Sequence, residues 1–124
     1  MPLVIFVDDS ETALASTRMV TNSMPIEVKQ YTQAEIALAE IKAGMTPDLI
    51  ITDLNMPVMN GLEFLKGLRD NAATARTPTL MLTTETKPEL KQQGKALGLT
   101  GWIVKPFNPA QLKQAITRVL RLPA

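Results

Sequence analysis

The sequence predicts an α/β fold, a (βα)5 chain forming a doubly wound, five-stranded parallel sheet. Three observations point to it. Strand-like apolar runs alternate with helical patterns from end to end. The runs at 3–7, 49–52 and 79–82 are apolar throughout, as expected for strands covered on both faces. The chain has 124 residues, enough for one domain to bury a single core without disulfide or metal staples.

Strand-like runs fall at 3–7, 26–31, 49–53, 79–83 and 102–105. Leu14, Met19 and Val20 mark the helix after the first run. The run 26–31 mixes Glu27, Lys29 and Gln30 with Ile26, Val28 and Tyr31, which predicts an edge strand. Ala34, Ala37, Leu38 and Ile41 follow the i, i+3, i+4, i+7 spacing of a helix face. Leu62, Leu65 and Leu68 mark a third helix. The stretch 88–98 is the least regular, because Gly94 interrupts it and its apolar face is only Leu90 and Leu97. Asn108-Pro109 opens the last helix in cap-then-proline order, and Leu112, Ala115, Ile116, Val119 and Leu120 form its apolar face. No repeat, linker or low-complexity tract divides the chain.

Composition excludes whole classes of chemistry. With no cysteine there is no disulfide, thiol nucleophile or zinc–thiolate site. With no histidine there is no Ser-His-Asp triad, no histidine metal site and no histidine phosphodonor within the chain. The apolar runs fall far short of the ~18 residues a membrane span needs. Met1-Pro2 leads directly into a strand without a basic leader, so a cytoplasmic location is expected. The net charge of +1 conceals an asymmetry: residues 1–84 carry an excess of acids, and 85–124 hold seven Lys/Arg against Glu85 and Glu89. That offset suggests an acidic partner for the C-terminal third, although lysines that merely solvate helix surfaces would give the same count. Nucleic acid fits less well, since the basic residues lie on two helices without interleaved aromatics.

The chemistry concentrates at strand ends. The first run ends on Asp8-Asp9, the third on Asp53 and the fifth on Lys105-Pro106. If these runs are neighbouring parallel strands, three carboxylates and one ammonium meet at the sheet edge where open α/β sheets bind ligands. At roughly 5 Å and an effective dielectric near 20, each acid pair repels by about 3 kcal/mol. A divalent cation removes that repulsion, and lysine then supplies a counter-charge for an added anion. The site reads as one for a metal and a phosphoryl group. Each residue also has a simpler reading. Asp8-Asp9 can cap the first helix, Asp53 can close a turn, Lys105 can snorkel from the sheet end, and Thr83-Thr84 can be ordinary strand-end residues. The functional reading rests on their conjunction.

The ordered set Asp8-Asp9-Ser10, Asp53-Leu54-Asn55-Met56-Pro57, Gly61, Thr83 and Lys105-Pro106-Phe107 resembles the receiver domain of two-component response regulators, over the whole chain. The segment Thr100 to Phe107, with no output domain after it, is most similar to the stand-alone chemotaxis regulators (CheY-like). The resemblance implies one receiver domain over 1–124 and a flavodoxin-like, CheY-like strand order 2-1-3-4-5. It also implies a phosphoacceptor signalling domain that labels itself from phosphodonors and loses the label again, rather than an enzyme. Asp53 is then the phosphoacceptor. Asp8, Asp9, Asp53 and the main-chain carbonyl of Asn55 hold Mg²⁺, with Mn²⁺ as a substitute. Lys105 offsets charge on the transferring group, the Thr83 hydroxyl donates to it, and Thr83 with Trp102 forms the switch. Asn55 and Glu85 modulate dephosphorylation, and Lys105–Pro106 is a cis peptide.

The implied partners are a CheA-like histidine kinase as phosphodonor, a phosphatase, and an acidic amphipathic helix of a flagellar switch protein or another target. DNA and membrane are not expected partners, and a monomer is expected. The output face is the helix near 88–98, the strand at 102–105 and the helix at 109–122. Two departures stand out. Trp102 occupies a position where the best-known relatives carry Tyr or Phe, and Ser10-Glu11-Thr12-Ala13-Leu14 lacks the Met-Arg pair common in chemotaxis regulators. The alternatives are a single-domain phosphorelay intermediate or phosphate sink, an unphosphorylated pseudo-receiver, and a haloacid-dehalogenase-type phosphatase. The phosphatase reading wants an aspartate where this chain has Asn55.

Overall fold

Five strands, β1 (Leu3–Val7), β2 (Glu27–Tyr31), β3 (Leu49–Thr52), β4 (Thr79–Thr83) and β5 (Gly101–Val104), pair in parallel in the computed structural model, which describes residues 1–123. Helices α1 (Glu11–Thr21), α2 (Ala34–Lys42), α3 (Gly61–Asp70), α4 (Pro88–Ala96) and α5 (Pro109–Leu120) fill the connections. The sheet order is β2-β1-β3-β4-β5, and β2 is an edge, as its mixed composition predicts. No helix among the described residues is long and apolar enough to cross a membrane.

Alternation along the central strands divides the core into two. Val4, Phe6, Leu49, Ile51, Leu80 and Leu82 face one way, under Leu14 of α1 and Leu112 and Ile116 of α5. Ile5, Val7 and Ile50 face the other way, under Ala37 and Ile41 of α2 and Phe64 and Leu68 of α3. Phe6, Phe64, Ile41 and Leu112 are among the largest fully buried side chains. Burial of side chains this size stabilises by roughly 1.5–3 kcal/mol each relative to leaving them exposed.

Several details differ from the sequence expectation, each for a local reason. Met19 does not lie on the buried face of α1; it is 82% exposed. The face runs through Leu14, Thr17 and Thr21 instead. Those threonines bury because their hydroxyls donate back to the helix, Thr17 to Leu14 O at 2.9 Å and Thr21 to Thr17 O at 3.1 Å. On α3 the buried face is Gly61, Phe64, Leu65 and Leu68, with Leu62 only partly covered. The α4 pattern is weak because its one buried residue is Gly94, where a Cβ would come within 3.0 Å of Leu99 Cδ2. Helix α5 stops at Leu120, where Arg121 turns left-handed at φ 56°.

Register carries the strand ends to the site. Val7 pairs with Thr52, and Thr83 with Val104. The ladder continues one residue further. Asp8 N–H donates to Tyr31 O at 3.0 Å, Asp53 N–H to Val7 O at 2.9 Å and Lys105 N–H to Thr83 O at 2.8 Å. Asp53 and Lys105 therefore lie just beyond β3 and β5, not within them. The fifth run is also not adjacent to the first and third, because β4 intervenes.

Candidate functional site

The carboxylates of Asp8, Asp9 and Asp53 each place an oxygen within 4.8 Å of the others. Lys105 reaches across the end of β4 to join them. Its Nζ lies 2.6 Å from Asp8 Oδ2 and 3.3 Å from Asp53 Oδ2, with only 18% of its side chain exposed. The other carboxylate oxygens of Asp8 and Asp53 are held by main-chain amides. Ser10 N–H donates to Asp8 Oδ1 at 2.9 Å, and Leu54 N–H to Asp53 Oδ1 at 2.7 Å. Helix capping is carried by neighbours of the acids. Ser10 Oγ accepts from Ala13 N–H at the start of α1, and Asn60 and Glu63 form a reciprocal capping box on α3. The aspartates are thus released from that task.

Electrostatics follow from burial and proximity. Burial pushes the Asp8 carboxyl above its ordinary value of 3.8, and the Lys105 and Ser10 hydrogen bonds only partly offset it. Burial alone would lower Lys105, but hydrogen bonding and charge from Asp8, with Asp53 behind it, hold its ammonium above 10.5. The ion pair at 2.6 Å fixes where the lysine charge sits. The donor set is hard oxygen without sulfur or imidazole, which suits Mg²⁺ or Mn²⁺ over zinc or copper.

Around the acids, Thr83 ends β4 fully buried, and its Oγ1 accepts from Glu85 N–H at 3.3 Å. The Trp102 indole donates to Glu85 O at 2.9 Å. Asn55 Nδ2 donates to Glu85 Oε2 at 3.3 Å, which bridges the loops after β3 and β4. That bridge had no signal in the sequence, because its partners are 30 residues apart and meet only once β3 and β4 are neighbours. The Lys105–Pro106 peptide is cis. Two backbone features shape the loop after β3. Gly61 N–H donates to Leu54 O at 2.8 Å, and a Cβ at Gly61 would lie 2.3 Å from Asp53 O. Val58, a β-branched residue, sits at φ 69° with 84% exposure.

Comparison with known proteins agrees with this geometry. The sequence pattern of the response regulator receiver domain matches residues 4–117. Chemotaxis protein CheY-3 of Vibrio cholerae is 32% identical over 117 residues, covering 94% of this chain and 89% of that protein. Chemotaxis protein CheY1 of Helicobacter pylori is 35% identical over 122 residues, covering 94% and 95%. The solved structure of the chemotaxis response regulator CheY4 of Vibrio cholerae superposes with a TM-score of 0.87 at 45% identity, covering 96% of this chain and 98% of that one.

Proposed function

This chain belongs to the response regulator receiver domain family, and from that premise we propose that it is a phosphoacceptor, phosphorylated on Asp53 by a CheA-like histidine kinase. The observation that carries the reading is the convergence of Asp8, Asp9, Asp53 and Lys105 at one sheet end. A carboxylate oxygen of Asp53 attacks the phosphorus of a phosphohistidine. A P–O bond forms, the P–N bond breaks, and its electron pair leaves with the donor imidazole. Asp8, Asp9, Asp53 and the Asn55 carbonyl would hold Mg²⁺, which supplies positive charge against the transferring oxygens. Lys105 adds a fixed ammonium on the same side, so the contribution of the protein is positioning and electrostatics. The Thr83 hydroxyl, now an acceptor for Glu85 N–H, turns to donate to the new phosphoryl oxygen.

Losing that acceptor frees the loop at Glu85 to which Trp102 is bonded, and the change passes to α4, β5 and α5. Lys91, Lys95 and Lys113 lie on α4 and α5, and this face suits an acidic amphipathic helix. Its likeness to chemotaxis proteins favours the flagellar motor switch as the target. A cytoplasmic monomer that binds neither DNA nor membrane fits this role. The chain is then a signalling domain, not an enzyme with turnover on external substrates.

The test is Trp102 fluorescence while Mg²⁺ and then beryllofluoride are added, with Asp53→Asn as control. A Mg²⁺-dependent second change, absent from the control, together with an acetyl-phosphate adduct seen by mass spectrometry, is expected. Absence of both would leave a silent interaction module.

A further inference from the structure

At the end of the sheet opposite Asp53, a groove of about 430 Å³ opens between the α3–β4 connection, the start of β5 and the end of α5. Four of its lining residues are arginines, Arg69, Arg76, Arg118 and Arg121, and none is acidic. Among the described residues no carboxylate forms an ion pair with them, since the cations of those pairs are only Lys66 and Lys105. A second groove on the outer face of α5 shares Arg118 and Arg121, so the positive surface is continuous. We propose that this groove is a binding site for a phosphate-bearing small molecule with at least two phosphates, of nucleotide size.

Arginines in the last turns of α3 and α5 also complement the partial negative charge of those helix ends. That accounts for Arg69 and Arg118. It does not account for Arg76, which lies in the connection before β4. Arg69 is the fixed member. Its guanidinium donates to Leu97 O at 2.8 Å, Thr74 O at 3.0 Å and Gly98 O at 3.2 Å, which holds it half-buried as a preset charge in the groove wall. Thr100 Oγ1 already accepts from Thr79 N–H at 3.1 Å, so its own hydrogen is left to donate. Planar guanidinium groups bind phosphate oxygens in pairs, which is why arginine, not lysine, suits this chemistry. Leu97 and Val119 give the same wall an apolar portion that a base or sugar could cover. The volume lies within the roughly 300–1,000 Å³ of small-molecule sites. The site uses none of the phosphorylation residues, although Arg69 also anchors the carbonyl end of α4 and would couple occupancy to the proposed output face.

The test is calorimetric titration of the full chain with inorganic pyrophosphate and, separately, with ATP, in a chelator so that the acid cluster recruits no metal. Saturable 1:1 binding that weakens as salt is added is expected. It should persist in Asp53→Asn and in Lys105→Ala. It should fall by on the order of tenfold or more in Arg76→Gln/Arg118→Gln, the loss anticipated for charge-assisted hydrogen bonds at two exposed arginines. Thermal melts show whether that variant is folded, and Arg69 is left intact because it is part of the scaffold. ATP binding tighter than pyrophosphate would show that the apolar wall takes the base; equal affinities would show polyphosphate recognition alone. Three outcomes overturn the proposal: no saturable binding of either probe, binding indifferent to the arginine changes, or binding of the chain only to anionic phospholipid vesicles.

Discussion

The indole of Trp102 donates to the main-chain carbonyl of Glu85 at 2.9 Å, while the amide of the same Glu85 donates to Thr83 Oγ1 at 3.3 Å. One peptide segment is thus held from both sides, by the residue beside the acids and by the aromatic on β5. Trp102→Phe removes the indole donor and leaves a part-buried carbonyl without it. A stability loss of about 1 kcal/mol is expected, with faster amide hydrogen exchange confined to the residues around Glu85. Exchange unchanged at that loop would show that the indole does not restrain it.

The acid cluster predicts how the protein responds to divalent ions. Lys105→Ala leaves Asp8, whose side chain is 8% exposed, without its counter-charge. The variant should lose roughly 3 kcal/mol, the lower end of the range for breaking a buried ion pair, because Lys105 keeps some exposure. Mg²⁺ should restore part of that loss. Asp9→Asn acts in the opposite sense: relief of repulsion raises stability without metal and shrinks the gain in Tm on adding Mg²⁺. Thermal melts with and without Mg²⁺ decide it; a full gain in Asp9→Asn would remove Asp9 from the metal site.

The sheet was legible because β1, β3 and β4 are apolar but for terminal threonines and β2 carries charges on alternate positions. The acids were legible for the same reason, since each follows the end of such a run. Two things were not. The buried face of α1 uses Thr17 and Thr21, whose burial depends on hydroxyl bonds back to the helix that hydrophobic periodicity does not register. The reach of Lys105 was the other, since the implied order 2-1-3-4-5, as observed, puts β4 between β5 and β3. Only the length of its side chain bridges the gap, and a one-dimensional pattern does not measure that.

Gly61 is required by space. Its Cβ position lies 2.3 Å from Asp53 O and 2.9 Å from Leu54 Cα, both backbone atoms that cannot rotate away. Gly61→Ala should cost roughly 3 kcal/mol, the upper end for overpacking, and should slow phosphoryl labelling of Asp53 by shifting its loop. Denaturant unfolding and labelling by acetyl phosphate measure the two effects. Native-like values for both would mean that α3 can slide away at no cost.

Val58 stores strain in the same loop. A β-branched side chain at φ 69° is unfavourable, and 84% exposure means little packing is gained in return. Val58→Asn, a residue that tolerates this conformation, should raise stability by about 1 kcal/mol. Val58→Gly should gain less, because glycine also adds freedom to the unfolded chain. The denaturant midpoint is the readout, and a lower midpoint in Val58→Asn would refute stored strain.

Tyr31 supplies a pH dependence with a definite sign. Its hydroxyl donates to Glu40 Oε1 at 2.7 Å. Burial, then the Glu40 hydrogen bond and the Glu40 charge, push the phenol up from 10.0 to about 12. The folded state therefore holds this proton more tightly than the unfolded chain does. The stabilising contribution is fully present below pH 10 and is lost as pH rises through about 12. The native curve alone sums the contributions of every group in the chain. Subtracting the curve of Tyr31→Phe isolates the phenol. The stability difference between the two proteins should be constant below pH 10 and should narrow between 10 and 12. A difference that stays flat across that window would mean that the Tyr31–Glu40 bond does not hold the proton in solution.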